Sequence, residues 1–556
     1  MTMNFPRIPA LALMIGTAFC AEEPPSVEEA IPGPVKSLAA PAGDGLPGGF
    51  QIAVSSDSEA AQRHVNLGLD HLNAGWEFEA SRHFGAALMA DPDCLLAHWG
   101  MLLCLIDPGP ETVAARDAAM ERLLALVEAG AGSELERGYA YGLIKYIQDG
   151  PEGAEAAFRK VSARFPNEIQ AAVLAALFGR GGFDAEGDAT PGQERAEKVL
   201  HAMIQKHRGS PVPIHALLFI RAEGRITPEF LVMARFLAVN WPGYAPYQHM
   251  LGHYEWRSGN HALAAEAFAS AAQLYQEWMK SNGVAAADCP EWLKASAYRV
   301  LALMSMGETK AATGAADDLA AIPWIADRPA SAGNRFLMWE ARTLPARILI
   351  RHNEPGMARK AAASLPKPED LVAFRKHSLA YWWIDGLRIL CESRGLLDEG
   401  KIEAAREVMA ALAHHMDNMA ENRDLARAGG ELSQWSRAFR AMEILMSELR
   451  ADLALAGEKS LRGPAYNWLS AAADRQSPAA LLMPPAVLAP ASGRLGDLLM
   501  AEDKPAEAIE AYQHALVLFP NDLQLLGSLE QACRKAGRDE DAADAARRIE
   551  KLKTGE

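Results

Sequence analysis

Apolar residues recur along the chain with the three-to-four-residue period of amphipathic helices, and no stretch alternates apolar with polar residues between hairpin turns. The pattern predicts helices throughout and no sheet. The clearest run is Ala61 to Cys94. Counted from Ala61, Leu67 and Gly68 stand at positions 7 and 8, Ala80 at 20, Phe84 at 24, Ala87 at 27 and Pro92 at 32. Small residues at such places let two antiparallel helices approach closely, and the proline ends the second of them.

The spacing returns further on. Counted from Leu135, Gly142 is at 8, Ala154 at 20, Phe158 at 24 and Pro166 at 32. Counted from Ala245, Leu251 and Gly252 fall at 7 and 8, Ala264 at 20, Phe268 at 24 and Ala271 at 27. From Ala489 the set is Leu495, Gly496, Ala508, Tyr512, Ala515 and Pro520, and a weaker copy follows with Leu529, Gly537, Ala542 and Ile549. This is the tetratricopeptide (TPR) signature, and it predicts an all-α solenoid, an α-α superhelix of helix–turn–helix units with degenerate copies between the clear ones. Glu291 to Leu319 and Leu387 to Leu412 are such eroded copies, keeping the turn glycines Gly307 and Gly400. A solenoid also suits 556 residues, too many for one compact core, because each repeat packs only on its neighbours.

Around the repeats the chain divides by composition. Residues 1–20 read as a signal peptide, with Arg7 ahead of the apolar run Ala10 to Phe19 and small residues before Ala21. Cys20 offers a rival reading as a lipid anchor, although Thr17 and Phe19 fit a lipobox poorly. Residues 21–55 are expected as a flexible Pro/Ala/Gly linker. A long helical array spans 56–476, with repeat units near 61–94, 135–168 and 245–278 and loops at Gly179–Gln193 and Ile322–Asn334. The Pro-rich 477–492 is expected to separate it from a C-terminal pair over 493–556. No later apolar run is long enough to cross a bilayer.

Charge and cysteines narrow the function classes. A net charge of −16, with no basic stretch to neutralise phosphates, argues against a nucleic-acid binder. No cysteines stand in CxxC spacing, and a helix between Cys94 and Cys104 would hold them about 15 Å apart, beyond bridging distance. There is no GxSxG elbow and no Walker lysine, and Gly179-Arg180-Gly181-Gly182 lacks the dinucleotide-binding spacing. No cofactor is expected.

Three blocks carry a family resemblance: Leu67 to Gly100 (LGLDHLNAGWEFEASRHFGAALMADPDCLLAHWG), Pro211 to Glu223 (PVPIHALLFIRAE) and Tyr247 to Ala271 (YQHMLGHYEWRSGNHALAAEAFASA). With them the chain resembles a group of bacterial exported tetratricopeptide repeat proteins over most of 56–556. The resemblance implies a repeat scaffold, periplasmic or otherwise in the cell envelope, whose biochemical role is mostly unassigned. One departure stands out: His215 is present, but Phe219 occupies the place of the second histidine of that block.

The candidate site follows from the repeat numbering. Concave-lining places of the Ala245 unit fall on His249, His253, Trp256 and Arg257, and the two histidines, four apart, share one helix face. These four are the candidate ligand-binding residues. His215, His249 and His253 are the candidate metal ligands, although Met250 stands where a zincin carries its glutamate base. The concave places of the first two repeats are apolar (Val65, Leu69 and Leu72, then Tyr139, Leu143, Tyr146 and Ile147) and are expected to be covered. Tyr381-Trp382-Trp383 reads as a core anchor. The sequence thus points to a non-enzymatic scaffold or adaptor for a protein or peptide partner. A histidine-lined metal- or small-ligand-binding protein is the alternative, and a structural envelope component the second alternative.

Overall fold

A computed structural model describes residues 24–42, 51–184, 187–351, 353–372, 374–457 and 461–554. The signal-peptide and lipid-anchor readings of residues 1–20 lie outside the described residues. Those residues form helices in succession from Gly33 to Thr554, with no strand among them and a single isolated bridge, Phe183 to Ala189. None of these helices is long and apolar enough to cross a membrane.

The repeats form as their spacing predicts. Glu59–Asn73 pairs with Glu77–Ala90, Ala245–Arg257 with His261–Asn282, Ala491–Ala501 with Pro505–Leu518, and Leu523–Lys535 with Asp539–Thr554. The second copy lies within Glu134–Arg164, which breaks at Gly150. The position-8 glycines explain the pairing. A Cβ on Gly68 would stand 2.8 Å from Phe84, one on Gly142 2.5 Å from Phe158, one on Gly252 2.7 Å from Phe268 and one on Gly496 2.6 Å from Tyr512. Each position-24 ring therefore rests on bare backbone of the facing helix. Gly75 and Gly259 turn the chain with φ of +74° and +79°, and Asp503 takes the equivalent place at +61°. Helices end at Ala90, Arg164 and Leu518, each two residues before Pro92, Pro166 and Pro520, as pre-proline geometry requires.

The array closes on itself. His71 Nδ1 of the first repeat lies 2.9 Å from the Tyr244 hydroxyl, and Trp76 packs on Trp278 with ring centroids 4.7 Å apart. At the other end the loop Phe519–Asp522 docks on the Ala245 repeat: Phe519 meets Trp256, the Pro520 carbonyl lies 2.7 Å from His261 Nε2, and Asp522 pairs with buried Arg351. Helices on both sides of 477–492 consequently share an apolar cluster containing Trp256, Leu301, Tyr512 and Leu525. Part of the expected linker 21–55 is packed as well, with Ile31 and Val35 buried against Gly85. Of the 381–383 cluster, Trp383 is buried and donates to Thr343 Oγ1 at 3.3 Å, while Tyr381 and Trp382 are half-buried against the same apolar cluster. The cysteines at 94, 104, 289, 391 and 533 are free.

Candidate functional site

The four candidate residues of the Ala245 repeat are buried, and other parts of the chain pack on them. His249, His253, Trp256 and Arg257 are 7%, 0%, 0% and 6% exposed. His249 Nε2 faces the Leu481 carbonyl at 2.9 Å, and His253 Nε2 faces the Ala222 carbonyl at 3.0 Å. Carbonyls only accept, so both imidazoles carry their proton on Nε2 here. Arg257 donates to Ala222 and Gly224 carbonyls at 2.6 and 2.9 Å, and Trp256 Nε1 donates to Ser305 Oγ at 3.1 Å. Burial lowers His249 to about 4 and His253 to about 3, so both are neutral at physiological pH. The structure does not bring His215, His249 and His253 together as ligands. Both Nε2 atoms are committed to backbone, and among the described residues the metal-compatible grouping lies elsewhere.

Four of the seven apolar positions of the first two repeats are covered. Val65, Leu69, Tyr139 and Leu143 are buried, while Ile147 is 47% exposed. Leu72 and Tyr146 face a cavity of about 330 Å³ that also reaches His215, Phe219, His249 and Leu481. His215 and His249 thus border one space. Its other edge is supplied by Leu481 and Leu482, from the Pro-rich segment.

That segment is the organising feature of the groove. Residues 477–490 form no helix, and Pro484 and Pro485 cannot donate a backbone hydrogen bond at all. Their carbonyls still need partners once buried. Side chains from four helices provide them. Tyr298, on Pro290–Ser305, donates its hydroxyl to the carbonyls of Ala480 and, at 2.9 Å, Met483. His249 serves Leu481. Arg437, on Leu432–Ala456, serves Pro484. Arg347, on Leu344–Leu349, donates to Pro485 at 2.5 Å and Ala486 at 2.8 Å. Gln476 closes the far end, donating to Ala489 O at 2.8 Å and accepting from Ala491 N at 2.7 Å.

Glu340 holds the two arginines in register. It is 2% exposed, pairs with Arg347 at 2.8 Å and also with Arg437. Burial pulls Arg347 down to about 9 and Arg437 to about 10, leaving both protonated at neutral pH. The segment's side chains are as engaged as its backbone. Leu481 belongs to the apolar cluster of the first half of the chain, Ala479 and Leu488 to the central one, and Val487 to the one built on Trp339 and Trp383. Tyr298, Glu340, Arg347 and Arg437 escape a reading of the sequence because they share no motif. They converge only in three dimensions.

No protein-family model matches the chain, and no curated protein matches it. Among solved structures it is similar to the TPR domain of P58(IPK), at 14% identity over 86% of this chain and 98% of that one, with a TM-score of 0.20. Naa15/Naa10 bound to HypK-THB matches at 13% identity over 87% and 78%, TM-score 0.26, and yeast Tom70 at 12% over 88% and 99%, TM-score 0.21. At such scores the tetratricopeptide character of this chain rests on its own repeats, in which spacing, turn and glycine–ring packing agree.

Proposed function

We propose that the chain is a non-enzymatic scaffold or adaptor of the cell envelope that takes an extended, apolar, proline-containing segment of a partner protein along its concave groove. The observation that supports this is the way the groove treats residues 477–492. Tyr298, His249, Arg347 and Arg437 bind carbonyl after carbonyl, so they read backbone and not side-chain identity. Apolar space beside Leu481 supplies side-chain preference. A partner segment of the same chemistry would compete with 477–492 for those donors.

The test replaces 477–492 by a glycine–serine spacer of equal length and titrates the folded variant with a fluorescent peptide of sequence SPAALLMPPAVLAPAS. Saturable binding is expected in the spacer variant and is expected to be lost on adding Arg347→Met. Absence of saturable binding to a folded spacer variant would sink the reading. Envelope location is checked separately by the intact mass of protein from the native host, where a chain beginning at Ala21 is expected.

A further inference from the structure

The first repeat carries a second polar cluster, distinct from the one that holds 477–492. His71 lies in the last turn of Glu59–Asn73, and Glu79 and His83 lie four apart on one face of Glu77–Ala90. All three are buried, at 8%, 6% and 1% exposure. One imidazole nitrogen from each histidine and one Glu79 oxygen lie within 4.8 Å of one another. His83 Nε2 stands 3.9 Å from Glu79 Oε1. That is too long for a hydrogen bond, and it lies within the span of two ligands each about 2.0–2.2 Å from a shared ion.

The opposite atoms of the same side chains are already held. His71 Nδ1 meets the Tyr244 hydroxyl at 2.9 Å, His83 Nδ1 meets His64 Nδ1 at 3.1 Å, and Glu79 Oε2 accepts from Arg82 Nη1 at 2.6 Å. With Nδ1 of each imidazole engaged, Nε2 is the nitrogen left on each, together with Oε1 of the carboxylate. A proton on Nδ1 of His71, given to Tyr244, and one on Nδ1 of His83, given to His64, leave a lone pair on both Nε2 atoms. Metal-bound histidines are fixed by just such outer contacts. A cavity of about 450 Å³ bordered by Ile31, Val35 and Lys36 reaches two of these outer contacts, His64 and Arg82.

We propose that His71, Glu79 and His83 bind one divalent first-row transition-metal ion, zinc being the match for two imidazoles and a carboxylate, with His64, Arg82 and Tyr244 orienting the ligands. The ion ties the two helices of the first repeat together and, through Tyr244, fixes that repeat against the Ala245 repeat. Three protein ligands leave a fourth position for water. The set is independent of His215, His249 and His253 and of the proposed peptide groove.

The experiment titrates metal-free full-length protein with zinc against a chromophoric chelator, and follows thermal unfolding with and without zinc. One equivalent is expected to bind and to raise the unfolding midpoint. His71→Gln, Glu79→Gln and His83→Gln are each expected to weaken binding by about 100-fold or more, while His514→Gln, at an exposed histidine, leaves it unchanged. No stoichiometric binding by the wild-type chain, or binding unaffected by the three glutamine variants, would overturn the proposal. If a variant fails to fold, X-ray absorption of the zinc-loaded wild type decides: two imidazoles and oxygen support the site, and a sulfur-bearing or imidazole-free shell overturns it.

Discussion

Arg347→Met isolates the grip on residues 477–492. Methionine keeps most of the apolar stem but removes three hydrogen bonds, to Pro485 O, Ala486 O and Glu340 Oε2. Each carbonyl left buried and unpaired costs about 1–3 kcal/mol. Glu340 retains Arg437, so its charge is not abandoned. The two carbonyls left without a donor therefore set the expected loss for the seat of the segment at about 3–5 kcal/mol. At about 1.4 kcal/mol per tenfold, the open population rises by roughly two to three and a half orders of magnitude. Limited chymotrypsin digestion reads that population when opening is fast relative to cleavage. Cleavage between Leu481 and Met483 should accelerate by about 100-fold or more, on this estimate of the opening. Arg359→Met, which removes an exposed ion pair with Glu399, should leave it unchanged. Cleavage at 481–483 no faster than in the wild type would refute the claim that side-chain-to-carbonyl bonds hold the segment.

Three further outcomes follow from the packing and protonation. Gly100→Ala would place a Cβ 2.3 Å from the fully buried Phe84 ring, so a net loss of about 1–2 kcal/mol is expected, overpacking outweighing the gain in helix propensity. Gly314→Ala, in the helix Thr309–Ala321 with nothing within 4 Å, should instead stabilise by up to about 1 kcal/mol, and urea unfolding of the pair checks both signs. His249 has a folded pKa of about 4 against an ordinary 6.5, so the unfolded chain takes up the proton first. Its contribution is therefore intact above pH 6.5 and lost as pH falls toward 4, amounting to about 2 kcal/mol by pH 5. Urea midpoints measured from pH 7 to 5 should fall, and His249→Gln should flatten that slope; an unchanged slope contradicts the assignment.

What the sequence disclosed was local. Each proline at position 32 announced a helix end two residues earlier, and each glycine at 8 announced the ring at 24, because both relations lie within one helical hairpin. The shared helix face of His249 and His253 was legible for the same reason. What packs on it was not: the partner of His249 is Leu481, 232 residues away. Proline-rich composition announces only that a segment is neither helix nor strand, and so 477–492 reads as a spacer. Nothing local shows that Tyr298, Arg347 and Arg437 will supply the donors it lacks. The first-repeat cluster left a fainter trace. Glu79 and His83 share a helix face, and His64 and His71 are two turns apart on the preceding helix, but only the fold turns those faces toward each other.

The position of residues 477–492 also sets a timetable. Apart from Leu481, the apolar cluster of the first half is complete by Ala295. A ribosome adding about 5–20 residues per second needs roughly 10–40 s to travel from there to Leu481. Until then the space beside Leu72, Tyr146 and Phe219 lacks the edge that Leu481 and Leu482 supply. Closure is thus deferred to nearly the end of synthesis, and any truncation before Leu481 should yield a protein that is helical, sticky and short-lived.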